Sequence, residues 1–145
     1  ALRMVDEGVL PATMDAAMEQ FGMPVGPIEL ADIVGLDICM AVGKELSGEG
    51  LPPIHLADLV KANKLGKKTG SGFYVWQDGK AQKGDAARVD AALIERLILP
   101  YLHEARKAVA EGIVADADLA DAGLIFGTGF APFRGGPLHY LAAGK

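Results

Sequence analysis

The sequence predicts an all-α fold made of two related helical half-domains with a small β-hairpin between them. Three observations predict it. One passage is written twice in the same order: Glu7-Gly8 followed by two aliphatics, Phe21-Gly22, then Gly26-Pro27; and again Glu111-Gly112, Phe126-Gly127, then Gly136-Pro137. Two copies are too few for a solenoid, so a helical unit packing on its own duplicate is expected. Apolar residues recur at helical spacing along most of the chain. Only "KTGSGFYVWQDGKAQKGD" breaks that pattern, with an aromatic and β-branched run from Phe73 to Trp76 and Asp78-Gly79 as its turn. The expected division is 1–76 for the first repeat, and 77–145 for the remainder of the hairpin, a linker and the second repeat.

Taken in order, the first element is short. Ala1 to Glu7 precedes a stop at Gly8, whereas the second copy has a long helix before Gly112. The chain therefore reads as starting inside an element, as a fragment of something larger, and Leu2, Met4 and Val5 are expected to expose apolar surface that favours self-association. Ala12 to Phe21 places Met14, Ala17, Met18 and Phe21 on one face. Pro27 suits the first turn of a helix, where its missing N–H would be unpaired in any case. That helix should run to Val34, loosen at Gly35 and resume to Leu46. "SGEGLPP" is a loop and "IHLADLVKAN" a short helix. In the second copy Ile94, Leu97, Ile98, Tyr101, Leu102, Ala105, Ala108 and Val109 form one stripe, with Pro100 inside the helix and Gly112 placed as a left-handed stop. Ala115 to Phe126 and Pro137 to Ala143 complete the helices.

Composition narrows the function. Half of the 145 residues are hydrophobic, so a packed core is expected. The net charge of −5 and the lack of a basic cluster beyond "KLGKK" argue against nucleic acid as a partner. The single cysteine, Cys39, cannot form an internal disulfide and has no metal-type Cys/His spacing around it, which fits a reducing, cytoplasmic location. No apolar run approaches the roughly 20 residues of a membrane span. His55, His103 and His139 read as surface or packing residues with scattered acidic neighbours, and Glu104 beside His103 points off another helix face. "GKKTGSG" is not a phosphate loop, and no strand–glycine–helix dinucleotide fingerprint is present. From its residues alone, the chain is a helical module without a complete active site.

The order "EGV…FGMPVGPIELADIVGLD", then "NKLGKKTGSGFYVW", then "ERLILPYLHEA…EGI…FGTGFAPFRGGPL" resembles the C-terminal domain of 3-hydroxyacyl-CoA dehydrogenases, over nearly the whole chain. The tandem copies are similar to the long multifunctional α-subunits of fatty-acid β-oxidation. The resemblance implies a helical fold like the 6-phosphogluconate dehydrogenase C-terminal domain. It implies an upstream NAD-binding domain that carries the catalytic His–Glu pair, in which the histidine takes the 3-hydroxyl proton as hydride leaves for the nicotinamide. None of the three histidines here matches that position. The family's Asn-Arg at the start of the long helix would precede Ala1, and its second-repeat counterpart reads Glu95-Arg96. The implied substrate pair is 3-hydroxyacyl-CoA and 3-oxoacyl-CoA, and the implied partners are a second copy or a thiolase subunit.

Two residues carry over as implied sites. Lys68 matches a position that closes over the NAD nicotinamide, through its ammonium or its backbone carbonyl; the other reading is a solvated loop lysine. Phe126 matches a position often occupied by Tyr near the acyl-CoA; the other reading is a core aromatic. Gly127, Gly129, Gly135 and Gly136 are expected to form turns, the last two admitting a Pro-started helix. The rival to a dehydrogenase part is a stand-alone helical interaction module. A related helical domain from a β-hydroxyacid enzyme is a third reading, against which "KTGSGFY" argues.

Overall fold

The computed structural model describes residues 1–144. Two compact units are formed: one from Ala1–Ala16 with Val25–Val89, the other from Ala17–Pro24 with the chain from Asp90 onward. Among the described residues there are eight α-helices and one two-stranded antiparallel sheet.

The first unit holds α1 (Leu2–Asp6), the start of α2 (Pro11–Phe21), α3 (Pro27–Val34), α4 (Leu36–Ser47), α5 (Ile54–Lys61), β1 (Val75–Gln77) and β2 (Lys80–Gln82). α1 ends as its sequence foretold. Gly8 has φ +94°, its N–H reaches Val5 O, and Val9 N–H reaches Met4 O, the paired bonds of a Schellman cap. The expectation of exposed apolar residues on α1 is corrected, because Met4 and Val5 are buried and Leu2 packs on the cluster of Ala31, Leu36 and Leu56. Gly35 (φ +109°) separates α3 from α4 at the expected place. The hairpin turns through Asp78 and Gly79, both at positive φ, with Gln77 paired to Lys80; a two-residue loop of this kind matches strand twist. The ladder starts two residues later than the aromatic run suggested. Phe73 and Tyr74 give their N–H groups to Asp32 instead of a strand partner.

In the second unit α6 (Ala91–Ala110) is capped by Asp90, whose carboxylate accepts from Leu93 N–H at 2.7 Å, and Pro100 lies within the helix. Its stripe of Ile98 and Leu102 packs with Met18, Phe21, Phe130 and Ala131. Phe21 meets the Phe130 and Tyr140 rings edge-on at 5.7 and 5.3 Å. Gly112 (φ +73°) closes α6 with the same bond pair as Gly8, here to Val109 O and Ala108 O. α7 spans Ala117–Thr128 and α8 spans Pro137–Ala142. Gly129, Gly135 and Gly136 have positive φ, as turn formers should. Gly127 does not: it lies inside α7, so its expected turn role is corrected. Among the described residues no helix is long and apolar enough to cross a membrane.

Candidate functional site

The first unit's candidate site is the turn between α5 and β1, and a buried aspartate shapes it. Asp32, on α3, has no exposed surface. One carboxylate oxygen accepts from Phe73 N–H at 2.9 Å; the other accepts from Tyr74 N–H at 3.0 Å and from the Trp76 indole N–H at 2.9 Å. The backbone must come close for this. A Cβ at Gly72 would stand 2.3 Å from the carboxylate, and one at Gly66 would stand 2.2 Å from the Asp32 carbonyl oxygen. Thr69 closes the turn from the other side, its hydroxyl accepting from Leu65 N–H and lying within reach of the Gly66 and Ser71 carbonyls.

Lys68 sits on the 3₁₀ turn Lys67–Thr69 carried by this scaffold. Its side chain is about half exposed and its ammonium meets Asp37 Oδ1 at 2.6 Å. That contact, first among the causes, holds the Asp37 carboxyl below the usual carboxylate range. Lys68 is thus neither free in solvent nor an uncompensated cation. Gly70 ends the turn at φ +77° with open space where a Cβ would be, so its glycine is required by backbone conformation alone. Tyr74 is buried and Phe73 half-buried against the α3–α4–α5 cluster, so both anchor the turn as expected.

A second buried aspartate supports the same region. Asp15, on α2, accepts from Ile28 and Glu29 N–H at 2.8 and 3.0 Å, capping α3, and from the Tyr74 hydroxyl at 2.7 Å. Burial pushes the Asp15 carboxyl up, against the lowering effect of the Tyr74 bond. Burial, then the Asp15 contact, pushes the Tyr74 phenol well above its usual range.

The second unit repeats this cap. Asp121, on α7, accepts from Leu138 and His139 N–H at 2.7 and 3.0 Å at the start of α8. A Cβ at Gly26 or at Gly136 would fall 2.3 Å from the carboxylate side chain of Asp15 or Asp121 respectively. The doubled Gly-Pro now has a physical reason. Proline starts each helix, aspartate caps it, and glycine leaves room for the carboxylate. Asp32 serves the hairpin turn, and among the described residues there is one hairpin.

Phe126, on α7, is 90% exposed, which corrects the core-aromatic alternative. Lys68 and Phe126 belong to different units. Of the histidines, His55 departs from its reading as a residue with scattered acidic neighbours. Its Nδ1 lies 2.5 Å from Asp6 Oδ1, and Asp6 also caps α5 by accepting from Ile54 and His55 N–H. Those backbone bonds, with the His55 ring, lower the Asp6 carboxyl. Among the described residues no group of His, Cys, Asp and Glu could hold a metal ion.

The family described as "3-hydroxyacyl-CoA dehydrogenase, C-terminal domain" matches residues 1–76. The chain belongs to that family. Beyond residue 76 the likeness continues in curated relatives. The fatty acid oxidation complex subunit alpha of Pseudomonas syringae pv. tomato is 37% identical over 96% of this chain and 23% of its own length. The protein of the same name from Vibrio cholerae is 38% identical over 88% of this chain and 20% of its own. The chain thus spans less than a quarter of these relatives. The dehydrogenase part of multifunctional enzyme 1 from C. elegans shares the fold, with TM-score 0.64 and 23% identity over 86% of this chain and 32% of that one. The mostly helical architecture expected from the sequence is therefore the architecture of the 3-hydroxyacyl-CoA dehydrogenase C-terminal domain.

Proposed function

We propose that the chain is the C-terminal cleft-wall and interdomain part of an NAD-dependent 3-hydroxyacyl-CoA dehydrogenase of fatty-acid β-oxidation. The reading rests on the family match over residues 1–76 and the relatives named as fatty acid oxidation complex subunit alpha along 96% of the chain. In it, the nucleotide site and the proton-abstracting base come from a preceding domain. The substrate pair is 3-hydroxyacyl-CoA and 3-oxoacyl-CoA, and a thiolase subunit or a second copy is the further partner.

The Lys68 turn supplies an edge to the NAD site rather than a cradle for it. One lysine already neutralised by Asp37, on a turn fixed by Asp32, suits a lid over a nicotinamide bound elsewhere. With the ammonium engaged, the backbone carbonyl of Lys68 is the atom offered to the cofactor. Phe126, exposed and without a hydroxyl, offers apolar contact to the acyl-CoA. Hydride transfer itself is cofactor chemistry, which the chain's residues border and shield.

The experiment is kinetic and uses the Pseudomonas syringae relative with this chain in place of its own matching segment. Gly70→Val, which disturbs the turn, is expected to raise KM for NAD several-fold, an effect of about 1 kcal/mol or more, while Lys68→Ala has the smaller effect. Unchanged NAD kinetics in both variants would remove the turn from the cofactor site and leave Lys68 as a surface ion-pair residue. The 145-residue chain alone is expected to form no NADH.

A further inference from the structure

The second unit contains an arginine in an unusual setting. Arg134 ends the 3₁₀ turn Pro132–Arg134, and its Nε donates to Phe21 O at 2.7 Å. Its guanidinium carbon lies 4.1 Å from the Phe21 ring centre, 5.1 Å from Phe133 and 5.4 Å from Tyr140. Three aromatic faces orient the cation, yet among the described residues no carboxylate pairs with it. In a chain of net charge −5 this is a conspicuous omission. A guanidinium carries five N–H donors in a planar fork, and the Phe21 bond uses one.

Arg134 lines a cavity of about 500 Å³ together with Phe133, Gly135, His139 and Tyr140, with no acidic residue in that lining, and it also lines a second cavity that Phe21 and Glu95 border. Two glycines fix the walls of the first. A Cβ at Gly22 would stand 2.5 Å from the Phe133 ring, and one at Gly135 would stand 2.5 Å from the His139 ring. Phe133 lies against backbone on that side and is still 74% exposed, so it presents an aromatic surface to solvent.

We propose that this cage is a binding site for a small molecule that bears both an oxyanion, phosphate or carboxylate, and a flat ring. The Arg134 fork takes two oxygens in the manner of arginine–oxyanion pairs, His139 offers a ring N–H, and Phe133 stacks on the ring. The volume falls in the range of small-molecule sites. The inference does not depend on the dehydrogenase reading.

The test uses the 145-residue chain with AMP as probe, followed by calorimetry or NMR shifts, against adenosine, inorganic phosphate and benzoate. AMP is expected to bind saturably with Kd of about 1 mM or tighter, and adenosine at least about tenfold more weakly, since it lacks the anion. Binding of benzoate as well as AMP assigns the general oxyanion chemistry; binding of AMP alone assigns phosphate. Phe133→Ala and His139→Gln, both at exposed positions, are expected to weaken AMP several-fold with the melting temperature unchanged. Arg134→Gln is expected to abolish binding, and the two exposed variants keep the test intact if that one unfolds. Equal affinity for AMP and adenosine, no saturable binding, or full affinity in Phe133→Ala would overturn the proposal.

Discussion

Replacing Asp32 by Ala tests how the candidate turn is held. The substitution removes the carboxylate that receives Phe73 N–H, Tyr74 N–H and the Trp76 indole N–H, at 2.9, 3.0 and 2.9 Å. Tyr74 and Trp76 are buried, so water cannot readily replace the lost acceptor. An unpaired buried donor costs about 1–3 kcal/mol, and the three donors share one carboxylate, so the losses are not fully additive. Relief of carboxylate desolvation offsets part of the loss. The expected net destabilisation is about 3–5 kcal/mol, a large share of the roughly 5–15 kcal/mol of an ordinary domain. Asp32→Asn keeps one acceptor but turns an NH₂ towards a donor, and should fall between Ala and the parent. The assay is urea unfolding followed by tryptophan fluorescence. Trp76 is the single tryptophan and one of the three donors, so its emission reports on the site itself. A loss below about 1 kcal/mol, or a native emission spectrum unchanged in Asp32→Ala, would refute the view that this carboxylate organises the turn.

Other perturbations have distinct signatures. Gly8→Val and Gly112→Val should each cost on the order of 1 kcal/mol or more through positive φ alone, because open space surrounds both sites; thermal melts check this. Gly26→Ala has an ordinary φ of −73° but drives a Cβ into Asp15, so its cost is steric and should shrink markedly in an Asp15→Ala background. The raised Asp15 carboxyl binds a proton in the folded chain at pH values where the unfolded chain has released it. Its contribution to stability is therefore fully present below the ordinary carboxylate pKa and falls as pH rises through the folded value, and Asp15→Asn should flatten that part of the profile. Asp6 has the opposite sign. Its lowered carboxyl adds stability above the ordinary pKa of 3.8 that is lost as pH falls through the folded value, so Asp6→Asn and the parent should converge in acid denaturation.

Much of the fold was legible because local signals agreed with one another. Gly8 and Gly112 marked helix stops, Gly35 a break, Asp78-Gly79 a two-residue turn, and Pro27 and Pro137 helix starts. The duplication was legible as text but not as physics. Asp15 and Asp121 precede Phe-Gly in each copy, yet their role depends on backbone groups thirteen or more residues away, which spacing within one helix does not reveal. Asp32 and the Asp6–His55 pair were invisible for the same reason, with partners 41 and 49 positions distant. Phe126 shows the converse limit. Helical spacing identifies an apolar residue, but only the packing of the neighbouring elements decides whether it is covered.

The most direct test of the central claim is turnover by a joined protein. The chain, placed in the Pseudomonas syringae relative in place of that protein's own matching segment, is assayed for NADH formation with a 3-hydroxyacyl-CoA. If the chain is the cleft wall of a dehydrogenase, the joined protein oxidises substrate while the relative without its matching segment and the chain alone do not. A folded joined protein that binds NAD yet oxidises no 3-hydroxyacyl-CoA would contradict it.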